Sequence, residues 1–431
     1  MELIYFYSFL FFSFLICLFL TGFDLKRRSP FFLFWLVIIF LILIPSLLDP
    51  FNKIVLPHSF ASTIIIDYSS LVIYSFYIFI VLFLFLSLYF IFYILFDNKH
   101  KVKYLKDVVS GGDKKYYYYL IFLASSIIGF YGFYRQFGFA LFSDFNFTTR
   151  REVSSVLSSF LLSYPFMVCC GLLAYFLINK KYVWVLTVLF FYLTLYFVFG
   201  GSRQPLIALV FPIISFYVLG DKRINYKFLI STSFILFFGQ YIFDVLKYLR
   251  NLPSFNDRIL VIFNPSEMIT YLQGIEGSES NIRYAFYYLI QNSSAQNGYF
   301  GFEYFLRSML FWLPSSMDFL NIKPKDFEYK IFYDFMNGHE GSMHPTIFGS
   351  IYADSGWFFY PWIIFLGSIF YFLPIYIRRY SGIVYFCIWS TLLFYSFMLA
   401  RGSIYGSIVV IAFTVFFGFL VQKIKFKLDS K

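Results

Sequence analysis

Charged residues are scarce in this chain of 431 residues. Only 13% of its residues are charged, whereas 60% are hydrophobic, and the mean hydropathy is +0.73. A soluble domain of this length would alternate charged and apolar faces, so the composition excludes an ordinary soluble protein. Apolar runs of about 18 residues or more recur from end to end. They predict an all-α, polytopic integral membrane protein.

Cysteine is also rare, and its placement excludes a disulfide framework. A thiol inside an apolar run behaves as a small hydrophobic side chain. All four cysteines lie in such runs: Cys17, Cys169, Cys170 and Cys387.

Two patterns that would indicate a metal ion are missing. The chain has no D-x-D pair of the kind that holds a metal against a nucleotide sugar. The segment HEGSMH resembles the zinc pattern H-E-x-x-H, but His339 and His344 are five residues apart, which separates them by about 140° on a helix. We therefore expect no metal site and no other cofactor.

The apolar runs predict about eleven transmembrane helices, and the basic residues predict their orientation. Short basic connections, such as Lys26 to Arg28 and Arg378 to Arg379, are expected in the cytoplasm. The N-terminus is then outside and the C-terminus is cytoplasmic. Transmembrane helices 1–8 occupy residues 1–245, and helices 9–11 with the cytoplasmic tail occupy residues 357–431. The residues between them, 246–356, form one long outer loop that contains amphipathic helices. The predicted spans are 3–22, 31–48, 70–95, 117–135, 157–178, 182–199, 204–220, 227–245, 357–377, 383–400 and 404–422.

Arginine is concentrated on the predicted outer side of the membrane, where basic residues are expected to be fewer. The predicted cytoplasmic segments hold fifteen Lys and five Arg, and the outer segments hold five Lys and nine Arg. Because a guanidinium forms paired hydrogen bonds with phosphate, the bias predicts an anionic ligand outside. For each position, an arginine that only reaches lipid headgroups is the alternative. The candidates are Arg150, Arg151, Arg203, Arg250 and Arg401.

Arg203 has the most specific sequence context of these arginines. In FGGSRQPLIAL, two glycines allow a tight turn, Ser202 can cap a helix, and Pro205 suits a first helical turn. The guanidinium would add to the positive end of the helix, which is a favourable place for phosphate. Arg401, in LARGSIYG, occupies the equivalent outer turn between the last two helices.

Ionisable residues also gather where the long loop ends, in GHEGSMHPTIFGSIYADSG. The imidazole of His344 can take a proton from an attacking hydroxyl, and the same stretch presents the carboxylates of Glu340 and Asp354. The alternative for His344 and Glu340 is that they are solvated loop residues. The alternative for Asp354 is that it caps a helix beginning near Trp357.

The layout and two motifs resemble a known family. GGSRQPLIAL on a middle helix, followed by a long outer loop and HPTIFGSIYADSGWFFYP, is similar to the oligosaccharide repeat-unit polymerases, the Wzy-type O-antigen and capsule polymerases. The loop end matches at His344, Pro345, Thr346, Tyr352 and Gly356. The motifs cover about thirty residues, and the layout covers most of the chain.

The resemblance implies a metal-independent glycosyltransferase of the bacterial inner membrane. Such an enzyme transfers a growing glycan from undecaprenyl pyrophosphate onto a new lipid-linked repeat unit at the periplasmic face. It implies catalytic roles for His344, which would activate or orient the acceptor hydroxyl, and for Glu340 or Asp354, which would hold the imidazole or a sugar. It also implies a pyrophosphate site at Arg203 and Arg401, with Arg150, Arg151 and Arg250 as weaker candidates. Expected partners are the lipid-linked repeat units, membrane lipid and a chain-length regulator, with no nucleic acid. An O-antigen ligase and a lipid-linked oligosaccharide transporter remain alternatives.

Overall fold

The computed structural model describes residues 1–51, 54–55, 64–96, 127, 131, 172–173, 175–177, 179–193, 204–220, 264, 280–292, 301–313, 322–324, 331, 344–380 and 382–429. These residues are helical, apart from a few turns and one antiparallel pair of two-residue strands, β1 (Ile54–Val55) and β2 (Ile64–Ile65). The all-α class predicted from the sequence is confirmed for this part of the chain.

The long apolar helices among the described residues lie in predicted apolar runs. Between the helices Phe32–Val37 and Ile44–Ser46 the chain makes a π-helical turn (Ile38–Leu43), and a short 3-10 turn follows at Asp49–Phe51. The helices are α1 (Glu2–Lys26), α2 (Phe32–Val37), α3 (Ile44–Ser46), α4 (Tyr68–Phe96), α5 (Tyr182–Leu193), α6 (Gln204–Gly220), α7 (Ser280–Asn292), α8 (Glu303–Met309), α9 (Thr346–Ser355), α10 (Tyr360–Ile377), α11 (Gly382–Ala400) and α12 (Ile404–Asp429).

Four of the described helical segments are long and apolar enough to cross a membrane. They are α1, the composite helix Phe32–Phe51, α4 and α10, which supports an integral membrane protein. Shorter apolar helices lie within α5, α6, α11 and α12. The predicted span 227–245 lies outside the described residues, and only a few residues of the predicted spans 117–135 and 157–178 are described, so the total of about eleven stays a prediction.

The chain divides into two compact units, each discontinuous in sequence. Unit 1 comprises Met1–Val102, Glu276–Ile377 and Tyr395–Phe416, and unit 2 comprises Lys103–Ile275, Arg378–Phe394 and Phe417–Lys431. In unit 2 the ring of Phe211 on α6 lies 5.6 Å from that of Phe394 on α11. Gly418 on α12 lets its helix approach Ile388, because a Cβ there would lie 2.4 Å from the Ile388 side chain.

Aromatic side chains fill the core of unit 1. The ring of Phe370 on α10 stacks on Phe31 at 4.4 Å and lies edge-on to Trp35 of α2 at 5.9 Å. Gly367 lets α10 and α4 pack closely, since a Cβ there would lie 2.5 Å from the Leu88 side chain. Such interlocking of large rings with a small residue gives close packing without polar contacts.

A polar contact closes the end of this core near the C-terminus of α1. Asp24 is fully buried, and its Oδ2 accepts a hydrogen bond from Trp35 Nε1 at 2.8 Å. The guanidinium of Arg27 lies 4.0 Å from the ring centroid of Tyr371 on α10. A buried carboxylate needs such donors and a nearby cation, so these residues fix how α1, α2 and α10 meet.

The loop-end motif forms a buried helix, α9, which the sequence analysis did not predict. All ten residues of α9 are buried. Tyr352 packs against Tyr77 of α4 at 5.1 Å and against Phe286 of α7 at 5.7 Å. A Cβ at Gly349 would lie 3.1 Å from Phe286, so the glycine allows α7 to approach.

Candidate functional site

The first turn of α9 holds an unusual backbone conformation next to His344. Thr346 has φ +61°, which is costly for a β-branched residue, and its N–H donates to the carbonyl of His344 at 3.0 Å. Its hydroxyl accepts from the N–H of Gly349 at 3.1 Å, as a helix-capping side chain does. The motif therefore places half-buried His344 just before a rigid helix start.

The turn between α11 and α12 packs directly on this helix start. Gly402 has φ +105°, and a Cβ there would lie 2.6 Å from the carbonyl oxygen of Thr346. The hydroxyl of Ser350 donates to the carbonyl of Gly402 at 3.2 Å. Arg401 precedes this glycine and His344 lies two residues before Thr346, so the fold brings these two predicted site residues to the same region.

Arg401 is half-buried at the end of α11. Its guanidinium lies 5.9 Å from the ring centroid of Phe397, one helical turn earlier. The positive charge is therefore held partly against an aromatic face, an environment that suits a guanidinium.

Two cations that the sequence analysis did not single out lie on the ring of Tyr405, at the start of α12. The guanidinium carbon of Arg307 lies 4.4 Å from the ring centroid, and Lys323 Nζ lies 4.9 Å from it. Lys323 Nζ also donates to the hydroxyl of Tyr405 at 2.6 Å. The outer-side arginine bias included Arg307, but only the fold shows that a loop lysine joins it.

Asp354 has a structural role that differs from both predictions made for it. It lies within α9 and does not cap a helix near Trp357, since the next helix begins at Tyr360. Its carboxylate accepts from the N–H groups of Tyr304 at 2.7 Å and Phe305 at 3.1 Å. It therefore caps α8, a helix distant in sequence.

The contacts of Asp354 also disfavour its predicted catalytic role. The residue is fully buried, and Trp362 Nε1 donates to its Oδ2 at 2.8 Å. At 1.5 Å per helical residue, Asp354 lies about 12 Å along the helix from Thr346, beyond hydrogen-bonding reach of an imidazole next to that residue. Burial raises the pKa of its carboxyl to about 6, although the hydrogen bonds from Trp362, Tyr304 and Phe305 lower it.

A buried ion pair anchors the loop helix α7. Arg283 Nη2 lies 3.0 Å from Asp49 Oδ1, and the hydroxyl of Tyr287 donates to Asp49 Oδ2 at 3.0 Å. Burial lowers the pKa of the Arg283 guanidinium, but Asp49 offsets this, and the pKa lies above its ordinary value. The amphipathic pattern predicted α7 as a helix suited to the membrane interface, whereas most of its residues pack inside unit 1.

The other predicted site residues lie outside the described residues. These are Glu340, Arg150, Arg151, Arg203 and Arg250. The helix start predicted beside Arg203 is confirmed, because α6 begins at Gln204 with Pro205 as its second residue. Within the described part of the chain, no group of three or more His, Cys, Asp or Glu could hold a metal ion.

Comparison with known protein families, with characterised proteins and with solved structures finds no match. The geometry at the start of α9 is therefore the basis for any functional conclusion.

Proposed function

We propose that this protein is a Wzy-type polysaccharide polymerase of the inner membrane. One observation carries the proposal: the helix start next to His344 packs on the turn that bears Arg401. The residue suited to accept a proton and a residue suited to bind pyrophosphate thus lie in the same region. Their proximity arises from segments more than fifty residues apart in sequence.

The proposed reaction joins two lipid-linked saccharides. A hydroxyl of the incoming repeat unit attacks the anomeric carbon of the growing glycan, which is carried on undecaprenyl pyrophosphate. The new C–O bond forms as the C–O bond to pyrophosphate breaks, and undecaprenyl pyrophosphate leaves with the electron pair. The imidazole of His344 takes the hydroxyl proton.

Charge stabilisation is the other requirement of this reaction. The guanidinium of Arg401 would stabilise the negative charge that develops on the departing pyrophosphate. Arg203 lies outside the described residues, and its role as a pyrophosphate ligand stays a prediction from the sequence. Asp354 holds α8, α9 and α10 together through its three hydrogen bonds, and we assign it no part in proton transfer.

The proposal is tested by the lipopolysaccharide profile of cells that lack the gene. The cells are complemented with wild type, His344→Ala, Arg401→Ala or Arg203→Ala at matched protein levels. Arg379→Ala is the control, because Arg379 is exposed and lies in the turn after α10, which is expected in the cytoplasm. A positioned base contributes about 100-fold or more to the rate, so His344→Ala should lose the ladder of long chains. Arg401→Ala should lose it too, because the charge on the departing pyrophosphate is no longer stabilised.

The profile also separates polymerase from ligase. If the deletion leaves lipid A core with a single repeat unit, polymerisation is supported. If it leaves bare core while lipid-linked polymer accumulates, the protein is a ligase. A normal ladder in both His344→Ala and Arg401→Ala would contradict the site, whatever the class of enzyme.

A further inference from the structure

The Gly402 turn, which comprises residues 401–403, is closed on the side of α11 by a helix-capping motif. The N–H of Ser403 donates to the carbonyl of Met398 at 3.1 Å, and the N–H of Gly402 donates to the carbonyl of Leu399 at 2.9 Å. This pair of bonds, with glycine at positive φ, is the Schellman motif that ends many helices. The backbone that carries Arg401 is therefore fixed relative to α11.

Two other helices hold the Gly402 turn from outside. The hydroxyl of Ser350 on α9 donates to the carbonyl of Gly402 at 3.2 Å. The hydroxyl of Tyr304 on α8 accepts from the N–H of Tyr405 at 3.1 Å. Tyr405 lies in the first turn of α12, where backbone N–H groups have no partner within their own helix. Tyr304 therefore caps α12 directly after the Gly402 turn.

Asp354 joins these two supports to each other. Its carboxylate, near the end of α9, accepts from the N–H of Tyr304 at 2.7 Å. Its carbonyl accepts from the N–H of Phe302 at 2.9 Å. The contacts thus form a closed circuit from α9 to the Gly402 turn, on to Tyr304 of α8, and back to α9. Buried hydrogen-bond networks rigidify the segments that they join.

The ring of Tyr304 is itself held in place. Tyr304 is buried, and its ring lies 5.9 Å from that of Trp362, in the first turn of α10. Trp362 is fixed in turn by its hydrogen bond to Asp354. A side chain that packing and hydrogen bonds lock in this way can define the position of the group it supports.

We propose that Tyr304 is a positioning residue, which keeps Arg401 at the start of α9 next to His344. The catalytic meaning of this inference rests on the proposed function, in which Arg401 stabilises the departing pyrophosphate. The inference extends that function, because it gives the loop helix α8 a part in the reaction. Tyr304 acts through the Gly402 turn and not on the substrate.

Hydrogen exchange tests the positioning without an enzyme assay. Tyr304→Phe keeps the packed ring and removes one hydroxyl from the full-length protein in detergent. Loss of one hydrogen bond shifts an opening equilibrium by about 2- to 10-fold. The N–H groups of Gly402 and Ser403, which keep their own partners on α11, should therefore exchange about 2- to 10-fold faster. Faster exchange at Tyr405 alone would overturn the inference, since Tyr304 would then cap α12 without holding the turn.

Tyr74→Phe is the matched control. Tyr74 is a buried tyrosine of the same unit, and its hydroxyl lies 3.0 Å from Ser46 Oγ. The variant removes a buried hydroxyl in the same way but should leave exchange at the Gly402 turn unchanged. Equal acceleration there in both variants would contradict a specific role of Tyr304.

Turnover by the purified protein tests whether the positioning serves the reaction. The substrate is the undecaprenyl-pyrophosphate-linked repeat unit extracted from cells that lack the gene. Tyr304→Phe should lower kcat by about 2- to 10-fold with KM unchanged, and Tyr74→Phe should change neither. In an Arg401→Ala background, Tyr304→Phe should lower kcat no further, because the two residues act as one unit.

The outcomes separate this inference from the proposed function. An equal loss of kcat with and without the Arg401 side chain would show that Tyr304 does not act through Arg401. If wild type shows no turnover of the lipid-linked repeat unit, the proposed function fails, and the exchange rates of Gly402 and Ser403 decide by themselves whether Tyr304 holds the turn.

Discussion

Replacement of Gly402 by alanine is the most direct perturbation of the candidate site. Gly402 has φ +105°, a conformation that glycine adopts freely and other residues avoid. Its Cα faces the backbone of α9, where a methyl group would lie 2.6 Å from the carbonyl oxygen and 2.8 Å from the carbonyl carbon of Thr346. These atoms belong to a buried helix start and cannot move away as a flexible side chain can.

The cost of this substitution has two parts. An unfavourable backbone conformation costs about 1–3 kcal/mol. Overpacking of a well-packed region costs about 1–3 kcal/mol more. The free energy of unfolding should therefore fall by about 2–6 kcal/mol, or the turn should separate from α9 and relieve the clash. In the second case Arg401 moves away from the helix start next to His344.

Gly406→Ala is the matched control for this prediction. Gly406 is exposed and lies in the first turn of α12. A Cβ added there would have Ser403 Oγ as its nearest neighbour, at 3.3 Å. Alanine there should be neutral or slightly stabilising, because alanine favours a helix by about 1 kcal/mol over glycine.

Two measurements test this prediction. Detergent-solubilised protein is heated, and the loss of its monodisperse size-exclusion peak gives a melting temperature. The polysaccharide ladder is scored in cells. Gly402→Ala should lower the melting temperature or lose the ladder, and Gly406→Ala should do neither. If both variants match wild type in both measurements, the close packing of the Gly402 turn on α9 is wrong.

Three further predictions concern buried charges in unit 1. Asp354→Asn offers one acceptor oxygen to three N–H donors, so it should lower the free energy of unfolding by about 1–3 kcal/mol and with it the melting temperature. A melting temperature equal to that of wild type would contradict the capping role. Because burial raises the pKa of Asp354 from 3.8 to about 6, the folded state favours the protonated carboxyl. The stability that this preference gives should be present in full below pH 4 and should be lost as the pH rises to 6. That part of the pH dependence of melting should disappear in Asp354→Asn, and an unchanged profile would refute it. Arg283→Met leaves Asp49 buried without its partner and should cost about 3–5 kcal/mol, whereas adding Asp49→Asn should restore part of the loss; a double variant less stable than the single variant would exclude this.

Much of the helical layout could be predicted because apolar length is a local property of the sequence. The predicted helix 204–220 matches α6 at both ends, and the predicted spans 70–95 and 383–400 differ from α4 and α11 by at most two residues at each end. Predicted helix 357–377 begins three residues early, because Gly356 and Trp357 form a turn before α10.

The helix α9 was missed because its burial is a property of the tertiary structure. Gly349 and the polar residues of the TIFGSIYADS segment are typical of a loop when read alone. In the fold, Gly349 allows α7 to pack closely, the hydroxyl of Ser350 donates a hydrogen bond to the carbonyl of Gly402, and Asp354 caps α8. Each of these residues is explained by a partner more than forty residues away in the chain.

The sequence by itself determined that the protein has membrane-spanning helices, the positions of the long apolar helices that the structure describes, and the two residues, His344 and Arg401, around which the site is proposed. Hydrophobic length and residue chemistry are enough for such conclusions, since neither depends on distant contacts. The tertiary structure alone decided which residues meet. It placed Arg401 near the helix start beside His344, assigned Asp354 to capping and joined Lys323 to Arg307, because contacts between distant segments depend on how buried surfaces pack.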